Sequence, residues 1–226
     1  MDNYYSYDQS SARHGSISKV FGYMFLGLLI TAATAFSIFY LILTNGISAN
    51  GYLGLTIVAS IALIILTIVT QIYCLKNKRG GLLTYGLYSG AMGVLLSSLM
   101  LTYNIRFLGF VFLCTAGTFG IMALYGYFTK TSTTSLGMFG VGALFGILTL
   151  TLVNIFIGSQ TIYYIISYIG LAAMLALTAY DINRAKKISE SGGMYNGMAI
   201  YMALQLYTDF IYIFLRLVIL LSRNRD

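Results

Sequence analysis

The chain is 226 residues long, 58% hydrophobic and only 8% charged, with a mean hydropathy of +0.83 and neither proline nor tryptophan. A soluble domain carries about a quarter charged residues, so this composition excludes a water-exposed globule and leaves lipid as the solvent. The formal charge of +7 is spread as short Lys/Arg clusters between apolar runs, which is a topology signal and offers no contiguous basic face to phosphates, so nucleic acid is not expected as a partner.

In hydrocarbon every backbone polar group must be paired within the chain, which leaves helices or a closed barrel. Long unbroken apolar runs select helices. The expected fold class is therefore an all-α integral membrane protein. Residues 1–18 (M-D-N-Y-Y-S-Y-D-Q-S-S-A-R-H-G-S-I-S) are polar and lack the basic start and short apolar core of a signal peptide. They read as a mobile cytoplasmic tail in which His14 is solvated. Residues 19–226 read as a single polytopic transmembrane domain. Windows of about 20 residues place helices near 20–43, 52–75, 82–103, 106–128, 136–157, 162–182 and 198–221. The connections are short, and no soluble domain is inserted.

Counting alternate sides, Arg13, Lys19, Lys76, Lys78, Arg79, Lys130, Arg184, Lys186 and Lys187 fall with the N-terminus. The positive-inside rule then puts that end in the cytoplasm. The terminal S-R-N-R-D falls outside if the last segment crosses, and its positive charge leaves a re-entrant alternative open. Glycines recur within the helices at Gly86/Gly90/Gly93, Gly117/Gly120 and Gly137/Gly140, a spacing that lets backbones approach closely where packing drives association. Cys74 and Cys114 lie in separate apolar stretches and read as buried structural thiols.

Six acids occur in all; Asp2, Asp8, Glu190 and Asp226 lie in tails or a loop, while Asp181 and Asp209 fall within apolar segments. An acid in the hydrocarbon region costs about 2.5–3.5 kcal/mol on the lenient insertion scale and marks a functional site by default. Asp181, at the expected cytoplasmic end of the sixth helix, has a plainer alternative as a hydrated acid paired with Arg184 one turn on. Asp209, near mid-membrane in the last helix, has one as a helix–helix hydrogen-bond clamp. Brought together, the two carboxyl groups would titrate as a unit and could gate on protons or contact a divalent cation, since Ca²⁺ prefers oxygen ligands. Their expected depths differ by roughly two turns, unless the last helix begins later or the protein is invaginated. Gln205, Tyr201, Tyr212 and Arg216 share a helical face with Asp209. Arg216 either neutralises Asp209 or snorkels to the interface.

The pair of segments A-Y-D-I-N-R and L-Y-T-D-F-I-Y-I-F resembles the Bax inhibitor-1 family of membrane proteins, also called the transmembrane Bax-inhibitor-motif family, and looks like a bacterial member. S-K-V-F-G-Y at 18–23 and T-A-G-T-F-G-I-M-A-L-Y-G-Y-F-T-K at 115–130 add to the likeness, which covers essentially the whole chain after the tail. The resemblance implies seven transmembrane helices, six surrounding a central seventh, and a pH-sensitive calcium leak whose sensing aspartates correspond to Asp181 and Asp209. It also implies a basic latch on the second helix. Here the chain departs, since between Tyr52 and Leu75 there is no Lys or Arg, only Gln71. Arg184 or Arg216 is left as a substitute charge partner.

The leading expectation is passive, proton-modulated conduction of Ca²⁺ across a bacterial inner membrane, with Ca²⁺ and H⁺ as the species handled, membrane lipids as surroundings, and no cofactor. A membrane-embedded regulator that binds partner proteins, such as a membrane protease or stress- and death-pathway proteins, is the alternative. Proton-coupled solute transport ranks last, because broken mid-membrane helices are not indicated. No enzyme is expected: the one His lies in the tail, and no metal cluster or phosphate loop is present in the sequence.

Overall fold

The computed structural model describes residues 2–76 and 80–222, with side chains from Ile17 onward. It is all-helical over these residues, with α1 (Asp2–Leu43), α2 (Ala49–Leu75), α3 (Gly81–Thr102), α4 (Ile105–Phe128), α5 (Thr134–Ile157), α6 (Gln160–Glu190) and α7 (Asn196–Ser222). All seven are long and apolar enough to cross a membrane, α1 over Ile17–Leu43. The polar stretch expected as a tail is helical from Asp2 and continuous with that first span. The expectations for the side chains of Arg13 and His14, for Lys78 and Arg79, and for the terminal basics lie outside the described residues.

The helix ends follow local chemistry. Ser48 caps α2 by accepting from the Gly51 N–H at 3.2 Å. Gly158 closes α5 in the left-handed region at φ 68°, where its N–H donates to the Asn154 carbonyl, a conformation that costs a residue with a Cβ. α6 runs eight residues past its expected end at 182. Arg184, Lys186 and Lys187 count against lipid but are good helix formers, so hydropathy stops at the interface while the helix continues.

Apolar side chains cover the outside, as lipid requires: Phe156, Ile155, Leu113 and Ile121 are all strongly exposed. Hydroxyls inside the spans are satisfied by their own helices. Thr34, Thr56, Thr67, Thr118 and Thr149 each donate to the carbonyl four residues back. Thr70 in α2 is fully buried with its Oγ1 unpartnered among the described residues.

The chain divides into two compact units: Met1–Ile105 with Ile188–Tyr207, and Arg106–Lys187 with Thr208–Asp226. In the first, Gly93 lies against the α1 backbone, where a Cβ would stand 2.6 Å from the Thr31 carbonyl oxygen. In the second, Gly137 and Gly140 of α5 receive the Tyr180 ring and Leu177 of α6, and Gly126 of α4 lies directly on the Ala179 backbone. Phe112 and Phe119 meet Phe210 edge to face, with ring centroids 5.4 and 5.6 Å apart. The expectation for Gly117 and Gly120 fails, because nothing lies within 4 Å of a Cβ built at either. Small-residue spacing shows that a helix has a smooth stripe but not that another helix lies on it. α7 is the most buried helix, with 56% of its most apolar window buried against 11% for α5.

Candidate functional site

The second unit holds both aspartates. Asp209 is the middle residue of α7, thirteen residues from Asn196 and thirteen from Ser222, or about 20 Å of helix from either end. It is 5% exposed, and Asp181 on α6 is 7% exposed. The extension of α6 to Glu190 leaves Asp181 nine residues inside the helix instead of at its end. The depth mismatch expected from sequence falls to about one turn, since the aspartates lie nine and thirteen residues from the α6–α7 connection. Asp181 lies close enough for its charge to act on Asp209, and the Thr178 hydroxyl, one turn before Asp181 on the same face of α6, hydrogen-bonds Asp209. The Oδ2 of Asp209 has no hydrogen-bond partner among the described residues.

The charge partners differ in placement. Arg184, half-buried one turn along α6, acts electrostatically on Asp181. The charge of Arg184 on Asp181 and the charge of Asp181 on Asp209 act together and are not exclusive. Arg216 lies on Gly170, where a Cβ would stand 2.9 Å from its Nε. That position is seven residues, about 10 Å, along α7 from Asp209, and the groups acting on Asp209 are Asp181 and Thr178.

One buried amide fixes the wall that carries Asp181. Asn183, 3% exposed, donates through Nδ2 to the Gly126 carbonyl at 3.1 Å and the Thr129 carbonyl at 3.5 Å, and its Oδ1 accepts from the Thr133 hydroxyl at 3.1 Å. Lys186 donates to the Tyr127 carbonyl at 2.8 Å and sits 5.1 Å from the Tyr127 ring centre. The last carbonyls of a helix have no partner within it; here α6 supplies them for α4, so α4, the α5 entry and the Asp181 segment are tied together. Sequence reasoning missed Asn183, Lys186 and Thr178 in these roles. Thr178 was accessible in principle, as the hydroxyl three residues before Asp181; a side chain capping another helix leaves no local signature.

Two carboxyls and a hydroxyl are hard oxygen donors. Among the described residues no group of three or more His, Cys, Asp or Glu side chains converges. Ca²⁺ takes six to eight oxygens, so this pair suits brief contact with a hydrated cation better than a permanent cage.

Comparison with known proteins gives a consistent picture. The family model described as "Inhibitor of apoptosis-promoting Bax1" matches residues 13–226. The inner membrane protein YbhL of Escherichia coli strain K12 is 32% identical over 222 residues, 92% of each chain. A protein of Borreliella burgdorferi is 34% identical over 223 residues, 93% of this chain and 92% of the relative. The protein YrjE of Lactococcus lactis is 30% identical over 233 residues, 100% of this chain and 99% of its own.

Proposed function

The chain belongs to the Bax inhibitor-1 family, and on that premise we propose that it is a pH-sensitive calcium leak of the membrane, gated by protonation of the Asp181–Asp209 pair. The single observation behind this reading is two buried aspartates side by side in membrane-spanning helices, one with an unpartnered carboxylate oxygen. An ionised pair attracts a divalent cation and repels itself; protonation removes both effects, so conduction and closure answer to the same groups. Arg184 stabilises the charge on Asp181, which leaves Asp209 as the member facing the ion.

The N-terminus lies in the cytoplasm on this reading, because Lys19, Lys76, Lys130, Arg184, Lys186 and Lys187 then fall inside, while Arg106 falls opposite. The membrane is the bacterial inner membrane, in keeping with the printed name of YbhL. The test is Ca²⁺ flux into proteoliposomes at pH 6, 7 and 8. Flux above empty vesicles that changes with pH supports the reading; folded, oriented protein with no flux at any pH overturns it.

The family description favours one second reading, a membrane-embedded regulator that binds partner proteins without conducting ions. It predicts a stable complex with another membrane protein, unaffected when both aspartates are replaced by Asn.

A further inference from the structure

α7 also carries a polar contact on the side away from Asp209. Tyr207 lies two residues earlier, about 200° round the helix, and is fully buried in the first unit. Its hydroxyl lies 2.6 Å from the hydroxyl of Thr31 on α1 and within hydrogen-bonding reach of Ser89 on α3. Thr31 in turn has the carbonyls of Gly27 and Ser89 each at 2.9 Å. With its own hydrogen on one of these carbonyls Thr31 accepts from the Tyr207 hydroxyl, and with it on Tyr207 the direction reverses. Tyr85 and Tyr88 hold the Tyr207 ring edge to face, at 6.0 and 5.8 Å between centroids.

Such a cluster is more than a way of hiding polar atoms. A phenylalanine at 207 would pack against the same two rings, leaving Thr31 and Ser89 with carbonyl acceptors. What the hydroxyl adds is direction, since it ties one face of α7 to one level of α1. We propose that Tyr207 is a positioning residue, a lock through Thr31 that fixes the rotation and depth of α7, the helix that carries Asp209. The proposal rests on the leak reading for its functional consequence. The ionisable groups facing Tyr207 are Tyr85 and Tyr88 of α3; those facing Asp209 and its partner are Asp181 and Arg184 of α6.

The test compares Tyr207→Phe with Tyr85→Phe in the full-length protein. Both remove one phenol hydroxyl from a fully buried ring, but the Tyr85 hydroxyl bonds the Tyr23 carbonyl of α1 and Ser89 of α3, and the Tyr85 ring that touches Tyr207 stays in the variant. The readout is the ratio of Ca²⁺ flux at the most and least permissive pH between 6 and 8. An unlocked α7 samples other rotations whatever the protonation of Asp209, so Tyr207→Phe raises flux at the closed pH and lowers the ratio by about threefold, the usual worth of one interhelical hydrogen bond in a membrane protein. Tyr85→Phe keeps the wild-type ratio. An unchanged ratio in Tyr207→Phe, or an equal fall in both variants, overturns the lock.

A second measurement does not depend on conduction. In thermal unfolding of the wild type, Tyr207→Phe, Thr31→Val and the double variant, the double variant loses less than the sum of the two single losses if the hydroxyls are coupled. Strictly additive losses overturn the lock even if the vesicles leak. Coupled losses in a protein that does not leak leave the lock standing and overturn the leak reading alone.

Discussion

Gly126→Ala puts the packing of the second unit to a direct test. Gly126 on α4 lies on the α6 backbone, where a Cβ would stand 3.0 Å from both the Cα and the carbonyl carbon of Ala179 and nearer still to its oxygen. Carbon atoms settle at about 3.5–4.0 Å, so α4 and α6 must part by about half an ångström or more. The obstacle is backbone, not the end of a flexible side chain. Overpacking of this kind costs about 1–3 kcal/mol, against which alanine regains up to about 1 kcal/mol of helix propensity. The net loss is then about 0–2 kcal/mol, and at about 2–4 °C per kcal/mol for a chain of this size the thermal midpoint falls by up to about 8 °C. Gly120→Ala, two turns earlier on the same helix, meets nothing within 4 Å. It keeps only the propensity gain of about 0.5–1 kcal/mol and raises the midpoint. Thermal unfolding in detergent micelles measures both. Equal effects of the two substitutions refute the α4–α6 contact.

Two further substitutions separate satisfied from unsatisfied polar groups. Asn183→Ala strips the partners from the Gly126 and Thr129 carbonyls and the Thr133 hydroxyl. At about 1–3 kcal/mol for a buried polar group left unpaired, it should be among the most damaging single changes in α6; unfolding at the wild-type midpoint would show that this amide carries no load. Thr70→Val removes a buried hydroxyl that lacks a partner and keeps the side chain's shape, so stability should hold or rise by about 1 kcal/mol; a clear fall would reveal a partner for that hydroxyl.

Much of this architecture was legible in the sequence because lipid is a demanding solvent. Seven apolar windows became seven helices, and two acids stood out because few others lie near a span. Less legible was anything that depends on what faces what. Asp181 looked shallower than Asp209 by roughly two turns, since charged residues end a hydropathy window without ending a helix. Gly117 and Gly120 have the spacing of a packing stripe but open onto empty space, whereas Gly126, outside any repeated spacing, makes the tight approach to Ala179. Asn183 and Tyr207 gave no local sign, because their partners lie 57 and 176 residues away in the chain.

The central claim is that Asp181 and Asp209 form one proton-sensing unit. The most direct test is the pH profile of Ca²⁺ flux for Asp181→Asn, Asp209→Asn and the double variant, each reconstituted in one orientation and shown to be folded. A unit that shares its titration is broken by losing either member, so each single variant should lose the pH dependence as completely as the double. Single variants that each keep a distinct part of the pH dependence, with effects that add in the double, would contradict the account.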